Sequence, residues 1–492
     1  MQGLLYGFSI ALTPVNLGLA LVGAFVGTLV GVLPGIGPIG AMALLMGLTY
    51  GLPPVSALIM FAGIYYGSMY GGSTTSILLN IPGEPSSVVT TIDGYQMAKR
   101  GRGGAALFIA AVGSFVAGTI GLILLTFMAK FLSQVALKFG PPEYFAIATF
   151  GLVALSQLSS EGLLKSLIMV AIGLMLGTIG LDVITGQPRL NFGTLALQKG
   201  FDFVPVAMGL FGITEVLETI DQGLSDTQEV IGVRFRELLP NREETRRSIG
   251  PSLRASVLGF FVGLIPGPAA VISTFLSYSL ERRISKRRHE FGHGAPEGVA
   301  GPESANNSAA VGVFVPLLSL GIPFAPPAAL LLSAMLIHGV TPGPLLVKER
   351  PEIFWGVIAS MYIGNVMLLV LNLPLVGLFI RILRAPMKLL MPIILLLCLI
   401  GVFAVNSSLA DIWIMVACGV AGYGLRRIKF PVAPLVLALV IGPMIEDSLR
   451  QSLLLSLGDF RIFLHRPIAV ALFLITLGIV ALPPLVHKIW KK

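Results

Sequence analysis

Three stretches of the sequence gather polar side chains within apolar surroundings. In YYGSMYGGSTTSILLNIPGEPSS (65–87), six hydroxyls lie between Ser68 and Ser76. Gly71 and Gly72 precede the run Ser73, Thr74, Thr75 and Ser76, and Asn80 follows just before the break Pro82-Gly83. Hydroxyl and carbonyl oxygens suit a hard cation, while hydroxyl and amide donors suit a carboxylate. Small-residue packing between helices is the competing explanation. Glu84, after the break, reads as a loop acid or a gate. In GPESANNSAAVGVFVPLLSLGIP (301–323), Glu303, Ser304, Asn306, Asn307 and Ser308 cluster at what reads as the start of an apolar helix. Helix capping accounts for Ser304 or Asn306. Two adjacent amides and a carboxylate exceed capping, so this stretch is expected to bind substrate or a sodium ion near Asn306 and Asn307. The third feature is a pair, GVLPGIGPIGA (31–41) and GLIPGPAA (263–270). Pro34-Gly35 and Pro266-Gly267 would interrupt a helix and free backbone groups, and half-helix ends can hold ions. A purely structural kink is the alternative.

Other chemistry finds little support. His289, His293, His338, His465 and His487 lack metal-ligand spacing, and Cys398 and Cys418 sit in apolar runs as small core residues. The chain has no HExxH or DDxxD motif of the kind a membrane-embedded enzyme would carry. Neither a catalytic set nor a cofactor is expected. Asp182 and Arg189 in GLDVITGQPRLNFG (180–193) are expected to pair in a loop. Glu215 and Glu218, like Glu446 and Asp447, are expected at helix ends near an interface.

The elements that must position these residues are membrane helices. Of 492 residues, 55% are hydrophobic and 12% charged, with a mean hydropathy of +0.89. A soluble domain carries about 25% charged residues. Too few charges remain to cover a water-facing surface, so lipid must take the apolar one. Continuous apolar runs such as LIMVAIGLMLGTIGL (167–181) indicate helices rather than the alternation of a β-barrel. At about 20 residues per span, roughly 10 to 13 crossings are available, and about 12 membrane helices are expected. The net charge of +9 lies mainly in short polar gaps, where positive-inside bias explains it better than nucleic acid does. No cleavable signal peptide is evident at the N-terminus.

Two basic segments, 221–252 and 281–303, both read as cytoplasmic. The apolar stretch between them contains Pro266-Gly267-Pro268. A re-entrant hairpin is therefore expected, with arms of about 12 residues each, roughly 18 Å at helical rise and too short to cross. The chain also echoes itself. GVLPG (31–35) matches GLIPG (263–267), LNIP (79–82) matches LGIP (320–323), and three further pairs follow in the same order. The expected organisation is a first transmembrane repeat over 1–220, a polar linker over 221–251, a second repeat over 252–450, and a terminal helix with a basic tail over 451–492. Repeats with matching broken helices are a secondary-transporter pattern, with the site at the repeat interface. Inverted halves are expected, although the sequence does not fix the parity of crossings.

The motifs GxLPGIGP, YGGSTTSILLNIPGEPSS with DGYQMAKRG, GPESANNSA with LGIP, and GLDxxTGxPRxxFG together resemble the large membrane subunit of tripartite tricarboxylate transporters (TctA). The resemblance spans essentially the whole chain. It implies a multi-pass protein of the bacterial inner membrane that imports a carboxylate, citrate being typical, coupled to sodium or protons. It also implies two protein partners, a small membrane subunit and a periplasmic solute-binding protein. A stand-alone permease without a binding protein is the alternative.

Overall fold

The computed structural model describes residues 2–33, 37–157, 162–182, 186–191, 193–194, 197–221, 231, 237–382 and 387–490. Helices dominate. In the N-terminal half these are α1 (Gln2–Ala11), α2 (Pro14–Val32), α3 (Gly37–Met46), α4 (Pro54–Leu79), α5 (Val88–Met97), α6 (Gly103–Ala136), α7 (Pro141–Gln157) and α8 (Leu163–Gly177). Next, Gly180–Leu181 pairs antiparallel with Pro188–Arg189. Then α9 (Phe203–Ala207) runs through a π-helical turn into α10 (Thr214–Asp221). The C-terminal half holds α11 (Arg242–Gly263), α12 (Ala269–Ile284), α13 (Glu297–Gly312), α14 (Phe314–Leu320), α15 (Pro326–Ile337), α16 (Leu346–Glu349) and α17 (Pro351–Asn372). It ends with α18 (Val376–Ile382), α19 (Met387–Asn406), α20 (Leu409–Arg427), α21 (Ala433–Leu455) and α22 (Pro467–Trp490).

Among the described residues, five helical stretches are long and apolar enough to cross a bilayer: Pro14–Val32, Pro85–Ala136, Phe203–Asp221, Pro351–Asn372 and Leu409–Arg427. Others are apolar but shorter, including Leu163–Gly177 and Pro326–Ile337. The interruptions have local causes. Asn80 takes the left-handed conformation at the end of α4, and Gly321 does so at the end of α14, as chain-reversing cap residues do. Pro54 opens α4, and after the two reversals Pro85 and Pro326 open the next helical turns, where a missing N–H costs nothing.

The apolar segment around Pro266 does reverse on itself. α11 and α12 pack against each other, and ion pairs tie them, Arg254 in mid-α11 to Glu281 at 2.6 Å and, at the open ends, Arg287 to Glu243 at 2.5 Å. One arm is longer than the sequence implied. Asn241 and Glu244 form a reciprocal capping box that starts α11 within the polar stretch, at Arg242 rather than at 252. Similarly, Ser304 and Asn306 do not cap a helix. α13 begins at Glu297 and places both in its middle, with Pro302 inside the helix.

Two helix pairs approach backbone to backbone. A Cβ added to Gly23, Gly27 or Gly31 of α2 would lie 2.2–2.5 Å from a carbonyl oxygen of α4. One added to Gly259 or Gly263 of α11 would lie 2.3–2.4 Å from a carbonyl oxygen of α13. Contacts also cross between the two ends of the chain: α6 packs on α11 and α13, α17 on α2 and α4, α8 on α21, and α20 on the π-turn before α10. The buried core, with Phe61, Phe260, Phe314 and Phe354 fully enclosed, runs through both. Outward faces stay apolar, as with Phe127 on α6 and Trp413 on α20, which suits a lipid surrounding.

Candidate functional site: a buried polar cluster at the helix breaks

After α4 the chain turns through Pro82 and Gly83 to Glu84, and a short 3-10 turn (Pro85–Ser87) leads into α5. Gly83 sits against the end of α2, where a Cβ would lie 2.0 Å from the Gly31 carbonyl oxygen. The C-terminal half makes a comparable contact, since Gly267 at the hairpin tip donates its N–H to the Phe324 carbonyl oxygen at 2.9 Å. Each interrupted helix thus meets the end of a neighbouring one. Unwound backbone groups buried there need partners.

Two carboxylates lie among these breaks. Glu303 of α13 is fully buried; Ser73 of α4 donates to one of its oxygens at 2.5 Å and Thr90 of α5 donates to the other. Glu84 is 4% exposed. Its Oε1 accepts from Ser86 Oγ at 2.7 Å and from Asn306 Nδ2 at 3.1 Å. The donors therefore cross between chain halves. Among the described residues, no Lys, Arg or His hydrogen-bonds or ion-pairs with either acid. Asn307 donates to Ser114 Oγ at 2.7 Å and to the Glu303 carbonyl at 3.0 Å. Beside it, Tyr66, Tyr70, Asn307 and Asn365 line a cavity of about 10 Å3, close to the least space a water needs. The Tyr66 hydroxyl there has no hydrogen-bond partner.

The residues singled out in sequence divide into groups. Ser73, Glu303, Asn306 and Asn307 come together, and Gly72 makes room for Glu84, since a Cβ there would lie 2.8 Å from Glu84 Cγ. Thr74 is buried in the same helix, and the Thr75 and Ser76 hydroxyls donate to the Gly72 carbonyl, Ser76 also to that of Ser87. Gly71 is packed against the Thr28 carbonyl of α2. Ser304 faces Gly113 of α6, Ser308 donates to the Ser256 carbonyl of α11 at 2.5 Å, and Asn80 is exposed at the helix end. Pro266 and Gly267 form the hairpin tip. Pro34 and Gly35 lie outside the described residues. Sequence inspection missed Thr90, Ser86, Ser114 and Tyr66, and left Glu84 as a loop acid or a gate. Thr90 offers no local cue, because its partner lies 213 positions away.

Away from the cluster, Asp182 pairs with Arg189 at 3.4 Å as expected, and Glu446 and Arg450 join them. Glu218 pairs with Arg426 at 2.6 Å. Among the described residues, no group of three His, Cys, Asp or Glu could hold a metal ion.

The model of the tripartite tricarboxylate transporter TctA family matches residues 17–437. The chain belongs to this family. As a TctA-family protein with several helices long enough to span, it is a multi-pass membrane protein and a tripartite tricarboxylate transporter subunit. It is similar to an uncharacterized 52.8 kDa protein in the TAR-I ttuC' 3' region of Agrobacterium vitis, at 47% identity over 99% of this chain and 97% of that one. A second protein, from the TAR-II ttuC' 3' region of Agrobacterium vitis, is 46% identical over 44% of this chain and 88% of its own length. No solved structure matches this TctA-family chain.

Proposed function

We propose that the protein is the large membrane subunit of a binding-protein-dependent secondary transporter that imports a carboxylate, of tricarboxylate type, by cation-coupled alternating access. It works in the bacterial inner membrane with a small membrane subunit and a periplasmic solute-binding protein. The coupling ion is sodium or a proton. The observation that carries this reading is the buried cluster of Ser73, Glu84, Thr90, Glu303 and Asn306 at interrupted helices, contributed by both ends of the chain. Such placement is how secondary transporters build a site at the interface of two repeats. The two-repeat, inverted organisation is part of the proposal. Its support is the matched sequence motifs and the reciprocal packing of α6 with α11 and of α17 with α2.

The solute arrives from the binding protein and is released beside the breaks. Asn306, Asn307 and the hydroxyls of 73–76 contact it or a bound cation, and the cation offsets the added negative charge. Uptake by proteoliposomes holding both membrane subunits tests this, with and without the binding protein. Uptake that needs the binding protein and fails when Asn306 and Asn307 are both replaced by Ala, at normal membrane expression, is the expected outcome. Full uptake by the double variant would refute the residue assignment. Full uptake without the binding protein would favour a stand-alone permease.

A further inference from the structure

The donors and acceptors around Glu84 do not balance. Asn306 is fully buried and gives an N–H to Glu84 Oε1. That contact fixes the amide, because turning it over would set its oxygen against the carboxylate oxygen. The oxygen so placed, Asn306 Oδ1, is buried and has no hydrogen-bond partner. An acceptor without a donor stands beside a carboxylate without a basic partner. A second buried carboxylate, Glu303, stands three residues before Asn306 on α13. Both of its oxygens are taken up by the Ser73 and Thr90 hydroxyls, so it adds negative field rather than a free ligand.

The other charged and titratable groups nearby do not relieve this. Tyr65 of α4 is buried with its ring against Phe314. Asp93 of α5 is engaged by backbone amides at 292, 294 and 295. On α12, Tyr278 donates to Asp93, Glu281 pairs with Arg254, and Arg282 and Arg283 are exposed. A hard cation would satisfy both groups, since oxygen ligands favour one. One carboxylate, already hydrogen-bonded by Ser86 and Asn306, and one neutral oxygen suit a single charge; calcium and magnesium sites usually draw on more oxygen ligands.

We propose that Glu84 and Asn306 form a sodium site, the carboxylate supplying the charge and Asn306 Oδ1 a neutral ligand, with Gly72 kept bare so that Glu84 can seat. The proposal rests on the transporter reading above, and it names the coupling ion and its holder. The test is equilibrium binding of radioactive sodium to the purified full-length chain in nanodiscs, beside solute counterflow in proteoliposomes with both partner proteins. Wild type is expected to bind one sodium per chain, Glu84→Gln and Asn306→Leu at least about tenfold more weakly. Asn306→Asp, which keeps an oxygen at the position, is expected to retain binding and so controls for folding. Sodium binding by Glu84→Gln equal to wild type would overturn the site. So would solute counterflow by a wild-type protein that binds no sodium, and that outcome would leave the transport function standing. Sodium binding that depends on Glu84 in a protein moving no solute would uphold the site and sink the transport reading instead.

Discussion

Gly72 shows how closely the site is fitted. A methyl group there would lie 2.8 Å from Glu84 Cγ and 3.3 Å from Ser87 Oγ. Gly72→Ala must push the Glu84 turn away from α4, and overpacking of this kind costs about 1–3 kcal/mol. Uptake is expected to fall with a modest drop in thermal midpoint, and wild-type uptake by a stably folded Gly72→Ala protein would contradict the assigned position of Glu84. Thr90→Val keeps the shape but removes a donor from buried Glu303, for a loss of roughly 1–3 kcal/mol. Thermal unfolding of the purified variant checks this, and an unchanged midpoint would count against the contact. Residue chemistry was partly legible in sequence. Glu303, Asn306 and Ser73 stood out because polar groups crowd in apolar text. Glu84 and Thr90 gained meaning only when the fold brought distant segments together.

At the scale of elements, Asp93 in the middle of α5 clasps the turn before α13. Its Oδ1 accepts the N–H groups of Gly292, Gly294 and Ala295 at 2.7–2.9 Å, and its Oδ2 accepts the Tyr278 hydroxyl at 2.9 Å. Gly292 and Gly294 have positive φ, which lets successive amides converge on one oxygen. Asp93→Ala is expected to cost about 2–3 kcal/mol and to open the 286–295 turn to proteolysis. An undigested turn with an unchanged melting curve would contradict the clasp. A second tie joins α6 to α11 through Arg102 and Glu244. Burial pushes the Glu244 carboxyl up, but the hydrogen bonds from Arg102 and the Asn241 amide outweigh it and hold the group below its ordinary 4.5. The stabilisation is therefore complete above about pH 4.5 and disappears as pH falls through the lower folded value. Unfolding followed from neutral to acid pH should show that loss in wild type and less of it in Glu244→Gln. The hairpin at Pro266 was legible because two basic flanks bracket a Pro-Gly break. The length of α11 was not, because its capping box lies in a stretch too polar to look like part of a membrane element.

For the whole molecule, composition and motif were enough to indicate a helical membrane transporter, and the family assignment agrees. The count of spans was less accessible. Hydropathy cannot distinguish a helix that crosses from two that meet midway, and α4 to α5 and α14 to α15 are interrupted by Asn80 and Gly321. Charge gives a test of orientation. Single cysteines at 243 and 286, at the two open ends of the α11–α12 hairpin, should react with an impermeant reagent from one face. Cysteines at 138, beyond the far end of α6, should react from the other. Reaction of 243 and 286 from opposite faces would break the proposed topology.

The seams between α2 and α4 and between α11 and α13 bring one further consequence. Their glycines rest directly on carbonyl oxygens of the facing helix, at spacings of four residues. Sliding either seam along its axis would take the glycines off the oxygens they fit. Shear along either pair would forfeit that fit, so each pair is expected to move as one plate. Any rearrangement that opens the buried acids to one side of the bilayer must carry these plates whole, and its give must lie in the side-chain-filled contacts they make with α6 and α17.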